Sequence, residues 1–576
     1  MAAVETLITD HLDLWTAALK RKSAAGRGSS RKVELYGIKM LRELILELAV
    51  RGLLVAQDPN DEPASELLKK IAAKKARLVG EGKIKKDKPL PPIAAGEAPF
   101  AIPAGWALAR LAYVINVLNG RAYKKHEMLS EGTPILRVGN LFTSNEWYFS
   151  DLELEPEKYI DDGDLIYAWS ASFGPFIWQG GKVIYHYHIW KMEFFSKADV
   201  DKFYFRHYLQ AISASIKASG NGIAMIHMTK ERMEKLVLPI PPIEEQHRIV
   251  AKVDELMVLC DQLEQQTDAS VGAHQTLVET LLSALTTAAD HAQFASAWQR
   301  IAGHFDTLFT TEESIEQLKQ TILQLAVMGK LVSQDPNDEP ASELLKKIAA
   351  EKAKLVKEGK IKKEKPLSPV AEGDWPFKLP NGWEWTRLGS AMMKITDGTH
   401  HSPPNGETGD FLYISAKNIK EEGVLLSNAT YVSEEVHLEI FSRCDPEPGN
   451  ILYIKDGATT GIATINNLRE PFSMLSSVAL LKQPKHVENR FILVVLRSPF
   501  FYAEMRAGMT GVAITRVTLK KLQDALIPLP SLAEQNRIVA KVDELMALCE
   551  QLKSRLSDAQ TTQLHLADAL VEQAIG

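Results

Sequence analysis

Apolar residues recur at alternating spacings of four and three along two long stretches of this chain. In one, Ile249, Val253, Leu256, Cys260 and Leu263 give way to Thr267, Ser270 and His274 before Leu277 and Leu281. In the other the series is Ile538, Val542, Leu545, Cys549, Leu552, Leu556 and Ala559, with Leu566 and Leu570 following past Gln563. That spacing is the a/d seam of a coiled coil, and a helix over 538–570 would measure roughly 50 Å. Cys260 and Cys549 occupy equivalent seam positions, which predicts buried, reduced thiols rather than nucleophiles. Shorter amphipathic helices are predicted around Ile38, Leu41, Ile45 and Leu48, and again around Ile315, Leu318, Ile322 and Leu325. Elsewhere the period falls to two. Strands are predicted over 134–138, 164–169 and 182–195, and over 411–415, 451–454 and 476–482, followed by helices over 203–219 and 490–507. The pattern predicts a mixed α/β fold in which two globular domains are mounted on a helical frame.

The frame is written twice. QDPNDEPASELLKKIAA occupies 57–73 and recurs letter for letter at 334–350; RIVAKVDELM occupies 248–257 and recurs at 537–546. The offset is 277 residues for the first block and 289 for the second, so the second intervening segment is twelve residues longer. These intervening segments, 106–238 and 383–527, share little, yet both keep the aromatic and apolar content of folded domains. Prolines bracket each: Pro89, Pro91, Pro92, Pro99 and Pro103 before the first, Pro366, Pro369, Pro376 and Pro380 before the second, Pro239, Pro241 and Pro242, then Pro528 and Pro530, after them. Near-identical frames suggest one kind of partner bound twice, and divergent inserts suggest two different ligands read by one architecture.

Composition narrows the class. At 576 residues the chain is long enough for two to four domains, and its mean hydropathy of −0.12 with 24% charged residues is that of a globular protein. No apolar run approaches the roughly 18 residues of a membrane span, and Glu5, Asp10 and Asp13 argue against a signal peptide, so a cytoplasmic protein is expected. Net charge is −6. Residues 101–240 hold fifteen basic and fifteen acidic side chains and residues 378–530 sixteen of each, so a positive face must come from segregation. Two lysine-rich stretches, 69–88 and 346–365, read equally as solvated helix faces or as phosphate- or partner-contacting stripes.

Catalytic motifs are missing. No GxxxxGK[ST], strand-borne GxGxxG, HExxH or Asn-Pro-Pro-aromatic tetrad occurs. His186 and His188 lie two apart on a predicted strand without a third metal ligand nearby. Glu81-Gly82-Lys83 and Glu358-Gly359-Lys360 imitate the end of a nuclease motif but sit in Gly-broken lysine runs, and read as surface.

Several motifs occur in order and twice: Pro103, Gly105, Trp106 and Pro380, Gly382, Trp383; Asp397-Gly398-Thr399-His400 with Tyr413 to Ile419; and Glu-Gln-x-Arg-Ile-Val at 245–250 and 534–539. With them the whole chain resembles the specificity subunits of type I restriction-modification systems. The first insert departs from that pattern, carrying Leu118-Asn119-Gly120-Arg121 and Arg137-Val138-Gly139-Asn140 where the second has Asp-Gly-Thr-His and Ser-Ala-Lys-Asn. The resemblance implies a non-catalytic subunit in which two target recognition domains, 101–240 and 376–530, each read half of a split, asymmetric DNA site. A helical N-terminal region (1–100), a central helical region (241–375) and a C-terminal helix (531–576) would form an antiparallel coiled coil with internal pseudo-twofold symmetry, set the spacer and dock two modification subunits. It also implies no cofactor in this chain: S-adenosylmethionine, ATP and Mg would belong to the modification and restriction subunits. Candidate DNA contacts are Arg121, Lys124, Lys125, Arg137, Asn140, Ser170, Ser172 and His227 in the first domain, and Lys394, Thr396, Thr399, His400, Lys417, Asn418, Lys455, Thr459, Thr460 and Arg516 in the second. The rivals are a coiled-coil adaptor whose inserts bind proteins, and a self-contained nuclease.

Overall fold

A computed structural model describes residues 7–21, 33–86, 89–170, 172–218, 228–361, 363, 365–507 and 516–575. The chain divides into two compact units, Met1–Ser270 with Ala559–Gly576, and Val271–Asp558. Each unit holds one insert domain and the same set of helices. In the first these are α1 (Tyr36–Val50), α2 (Ala64–Gly80) and α3 (Lys202–Ala218), with the start of α4 (Ile243–Thr287). In the second they are α5 (Glu312–Val327), α6 (Ala341–Lys357), α7 (Asn489–Arg497) and α8 (Pro499–Arg506), with most of α9 (Leu532–Ile575). Among the described residues no helix is long and apolar enough to cross a membrane.

The two long helices form without interruption, and Cys260 and Cys549 are buried in them as free thiols, Cys260 pushed up to about 11 by burial. The buried line departs from the predicted heptads. Ile249, Val253, Leu256 and Cys260 are buried as expected, but the line then runs through Val278, Leu282 and Leu285, leaving Leu277 half exposed. In α9 it likewise passes from Ile538, Val542 and Cys549 to Ala567, and Leu566 is half exposed. From Cys260 to Val278 and from Cys549 to Ala567 the line follows the 3.6-residue period of a straight helix, which gains about one residue on a strict heptad over this length.

Each insert rises from a two-stranded base that joins its two ends. In the first, β1 (Ala107–Arg110) pairs antiparallel with β10 (Val237–Ile240); in the second, β11 (Glu384–Arg387) pairs with β19 (Leu526–Leu529). Above the base the first domain has β2 (Ile115–Asn119), β3 (Thr133–Leu136), β4 (Tyr148–Ser150), β5 (Tyr159–Ile160), β6 (Leu165–Ser170), β7 (Ser172–Ile177), β8 (Val183–Tyr185) and β9 (Ile189–Phe194). They form two sheets, in orders β2-β9-β6-β7 and β4-β3-β8-β5. The second domain has β12 (Lys394–Asp397), β13 (Phe411–Ile414), β14 (Thr430–Val432), β15 (Ile451–Ile454), β16 (Ala463–Ile465), β17 (Phe472–Met474) and β18 (Val478–Lys482), in orders β12-β18-β15-β16 and β14-β13-β17. Among the described residues a parallel strand pair, β3 with β8 and β13 with β17, falls at the same place in each, and an isolated parallel bridge follows it, Arg121 with His186 and Thr399 with Leu475. Two inserts with little sequence in common therefore share the main strand order, the first adding β5 to one sheet and the second adding a two-stranded sheet of Ile419–Lys420 with Gly423–Val424.

Local chemistry corrects two predicted elements. The strand expected over 182–195 is two strands parted by a turn at Tyr187 and His188, so His186 and His188 lie at a strand end and not along a strand. The helix expected over 490–507 breaks at Ser498: Pro499 has no N–H to continue the ladder, and the Ser498 hydroxyl accepts from the Phe501 N–H (3.2 Å) to start α8.

The repeated letters meet in one knot per unit, built round a buried glutamate. Gln57 Nε2 donates to the Gly52 carbonyl (2.7 Å) and to Glu245 Oε1 (3.2 Å), while the Trp106 indole donates to Glu245 Oε2 (3.0 Å). Gln334, Gly329, Trp383 and Glu534 repeat this at 2.8, 3.1 and 3.0 Å. Beside each knot an arginine of the long helix grips an aspartate of the QDPND loop, Arg248 to Asp61 (2.6 Å) and Arg537 to Asp338 (2.7 Å). Gln246 and Gln535, fully buried, accept from the Asp201 and Glu488 N–H groups and donate to the Pro241 and Pro530 carbonyls. Gly52 takes φ +72° with Pro103 and Trp106 packed where a side chain would project. Much of what the repeat spells is thus internal attachment of insert to helix.

Trp106→Phe leaves Glu245 Oε2 buried without its donor and should lower unfolding free energy by about 1–3 kcal/mol, read by chemical denaturation. His207 on α3 is almost fully buried, 3.5 Å from Asp254, and burial pushes it down to about 4. The unfolded chain protonates this ring near its ordinary value and the folded chain does not, so stability is lost as pH falls from about 6.5 to 4. Between pH 7 and 5 the wild-type chain should lose about 2 kcal/mol more than His207→Leu, measured by denaturation at both pH values.

Candidate nucleic-acid interface

Strand ends and turns gather at one place in each domain, and the hydrogen bonds there match atom for atom. In the first domain the loop after β2 is held to the β8–β9 turn: Arg121 N–H donates to the Tyr185 carbonyl (3.2 Å) and Tyr187 N–H to the Arg121 carbonyl (3.1 Å). In the second the loop after β12 is held to the β17–β18 turn: Thr399 N–H donates to the Met474 carbonyl (2.9 Å) and Ser476 N–H to the Thr399 carbonyl (2.8 Å). His186 N–H reaches the Leu136 carbonyl as Leu475 N–H reaches Ile414, and Trp169 N–H reaches His188 as Lys455 N–H reaches Ser477. Gly120 and Gly398 permit the approach, because a side chain on either would run into the carbonyl of Tyr185 or Met474. The bonds put Arg121 in register with Thr399, Arg137 with Ser415, Trp169 with Lys455, and His186-Tyr187-His188 with Leu475-Ser476-Ser477.

Asn140 and Asn418 are explained by this frame. Asn140 Oδ1 accepts from Arg137 N–H (3.1 Å) and its Nδ2 donates to the Glu146 carbonyl (2.7 Å); Asn418 Oδ1 accepts from Ser415 N–H (3.1 Å) and its Nδ2 donates to the Leu425 carbonyl (3.1 Å). Both amides clamp their own loops; Asn418 is buried and Asn140 half-buried. Three further candidates are also turned inward. Ser170 is buried at the end of β6; Thr460 is buried with its hydroxyl on the Gly457 carbonyl (2.7 Å); Thr399 is buried, sharing its hydroxyl with His401. Lys394 is tied to Asp445 (2.8 Å) beside Lys482, its partner across the β12–β18 pairing and not at the loop end, while Thr396 is half-buried mid-strand.

The remaining candidates have varied surroundings. In the first domain Arg121 pairs with Glu127 (2.8 Å) and lies over the Tyr123 ring, Arg137 lies over the Tyr148 ring, and Lys124 and Lys125 are exposed, with Ser172 half-buried at the start of β7. In the second, Asp397 is buried among nitrogen groups: Arg443 Nη2 at 3.0 Å, His400 Nε2 at 3.3 Å and Lys455 Nζ at 3.5 Å. Lys455, itself buried, also meets Asp456 (3.2 Å), whose other oxygen faces Arg516 (3.5 Å). Lys417 and Thr459 stand exposed. The basic side chains at these loop ends are interleaved with carboxylates, Glu127 in the first domain and Asp397 and Asp456 in the second. His227 lies outside the described residues.

Sequence reasoning passed over Arg443 and the Trp169–His188 ring cluster. Arg443 follows a short helix, Glu434–Phe441, remote in sequence from Asp397, and the rings were assigned to strand interiors. The lysine-rich helices are partly spoken for: Lys69, Lys70 and Arg77 pair with Glu66, Glu62 and Glu81, and Lys346 and Lys347 with Glu343 and Glu339. Lys75 and Lys352 donate to the Ala112 and Gly389 carbonyls (both 2.7 Å). Glu81 and Glu358 are helix-terminal surface carboxylates paired with Lys83 and Lys360.

If Gly398 lets the loop close, Gly398→Ala should weaken binding to a DNA target by about tenfold or more while the chain stays folded, and do so only for sequence changes read by the second domain. Competition binding with scrambled half-sites measures this.

The type I restriction modification DNA specificity domain model matches residues 103–272 and 380–559. The EcoAI specificity subunit of Escherichia coli is 42% identical, and the EcoEI specificity subunit of the same organism 39%, each alignment covering 100% of both chains. A chain from a solved structure on complex assembly and conformational transition of the type I R-M system is 20% identical with a TM-score of 0.47, covering 83% of this chain and 99% of that one. The sequence matches support DNA recognition over the protein-adaptor reading, and on them this chain belongs to the specificity subunits of type I restriction enzymes.

Proposed function

We propose that this chain is the non-catalytic subunit that selects the DNA site, each insert domain reading one half of a bipartite, asymmetric sequence. The observation that carries this is the matched cluster: one backbone scaffold, twice, with different side chains at its tip. A scaffold that holds geometry constant while its tip residues change suits reading two different sequences in one manner, phosphates being held by the exposed lysines and arginines and bases by the loop tips. The long helices then set the unread spacer, as antiparallel rods whose length selects half-sites one or two helical turns apart.

In this reading two modification subunits dock on the duplicated frame and restriction subunits join through them. S-adenosylmethionine, ATP and Mg are held by those partners, and none is needed here. The assembly works in the cytoplasm. Replacing residues 106–238 with the corresponding insert of another specificity subunit should change one half of the methylated sequence and leave the other half and the spacer intact, as read by mapping methylated adenines in cells. Loss of both halves by a folded chimera would contradict independent reading.

A further inference from the structure

The two clusters differ most where their backbones agree best. At the β8–β9 turn of the first domain, four rings stand where the second domain has a leucine, two serines and a lysine. Trp169 and His188 meet edge to face with centroids 5.2 Å apart, Trp169 and Tyr187 lie 6.3 Å apart, and His186 and His188 4.7 Å apart. The Trp169 indole donates to the Tyr187 carbonyl (3.0 Å), and its ring stacks on buried Trp190 at 5.2 Å and 19°. The tip of this braced group is Tyr187, 40% exposed.

Such a surface is poorly suited to phosphate and well suited to bases. None of the four rings bears a guanidinium or ammonium group; Arg121 is bonded to the turn through its backbone, and Arg137 lies close enough to act on His186. Burial, with His188 and Arg137 close by, pushes His186 down to about 4, so its imidazole is neutral at pH 7; Nδ1 accepts from the His188 N–H (3.4 Å), which leaves the Nε2 side of the ring for a ligand. An aromatic ring adds an apolar face for a thymine methyl group. Rigid bracing also limits the conformational entropy lost on contact.

We propose that Tyr187, flanked by His186 and His188 and braced by Trp169, is the base-reading element of the first domain, acting through its ring face and hydroxyl. This rests on the reading that the first domain recognises DNA. In the second domain the same turn reads through Ser476 and Ser477 beside the Lys455–Asp456–Arg516 group, so that exchange of one turn alters what a shared scaffold recognises.

The test uses the full chain assembled with its modification subunits and two duplexes: the site that the wild-type complex selects from a random pool, and the same site with its first half scrambled. Tyr187→Ser should weaken binding to the selected site by about tenfold, leave the scrambled duplex within about twofold, and keep the slope of log affinity against log salt. Arg137→Ser should weaken both duplexes alike and reduce that slope by about one. His188→Ala, with thermal melting of each variant, separates a reading defect from misfolding and should repeat the Tyr187→Ser pattern. If Tyr187→Ser and His188→Ala bind the selected site as the wild type does, or weaken both duplexes equally, the proposal is overturned while first-domain recognition stands. If the wild-type complex does not distinguish the duplexes, recognition by the first domain falls and this proposal with it.

Discussion

Two carboxylates sealed from water, Glu245 and Glu534, each accept hydrogen bonds from an indole and a glutamine brought in from distant parts of the sequence. A carboxylate that loses water is tolerated only where donors replace it, and burial raises the pKa of both groups even with those donors in place. Gln57, Trp106 and Glu245, like Gln334, Trp383 and Glu534, therefore hold one another in place, since a change in any one strands a buried partner. The knot fastens the base of each insert to the start of a long helix. Above that base, strand residues such as Tyr167 and Trp190, or Ile451 and Leu481, pack into the core shared with the frame helices, and a second core on the far side belongs to the insert alone.

This explains the contrast in the sequence. Frame residues that meet in the knot are the same in both copies because each is fixed by the others, not because they all face a shared partner. The sheets above need apolar strands in the right order, a condition that Ile135, Ile166 and Ile184 meet as well as Leu412, Leu452 and Phe472. At the tip even that demand lapses, apart from a glycine where the loop crosses the turn and an asparagine that clamps the neighbouring loop. Between fixed base and fixed loop geometry lie side chains free to specify sequence.

The duplication, the helical frame and the two α/β inserts were legible because each rests on local periodicity or literal repetition. The seam beyond Cys260 was not, since Leu277 and Val278 are adjacent apolar residues and only packing chooses between a 3.5- and a 3.6-residue period. The β8–β9 turn was hidden by its own composition: His186-Tyr187-His188 extends a run of strand-forming residues without a Gly, Asn or Pro to mark the reversal. That Asn418 clamps its own loop was not legible, because a polar residue in a loop motif serves the backbone as readily as a ligand. Arg443 reaches Asp397 across 46 residues, a pairing that spacing does not reveal.

The central claim is that one scaffold is used twice with interchangeable reading tips. Its most direct test replaces residues 106–238 with a second copy of residues 383–527 from the same chain, and maps the adenines methylated when the hybrid is assembled with its modification subunits. The account predicts a symmetric target, two inverted copies of the half-site read by the second domain, separated by the original spacer. Continued modification of the original asymmetric sequence, or a folded and assembled hybrid without sequence preference, would contradict it.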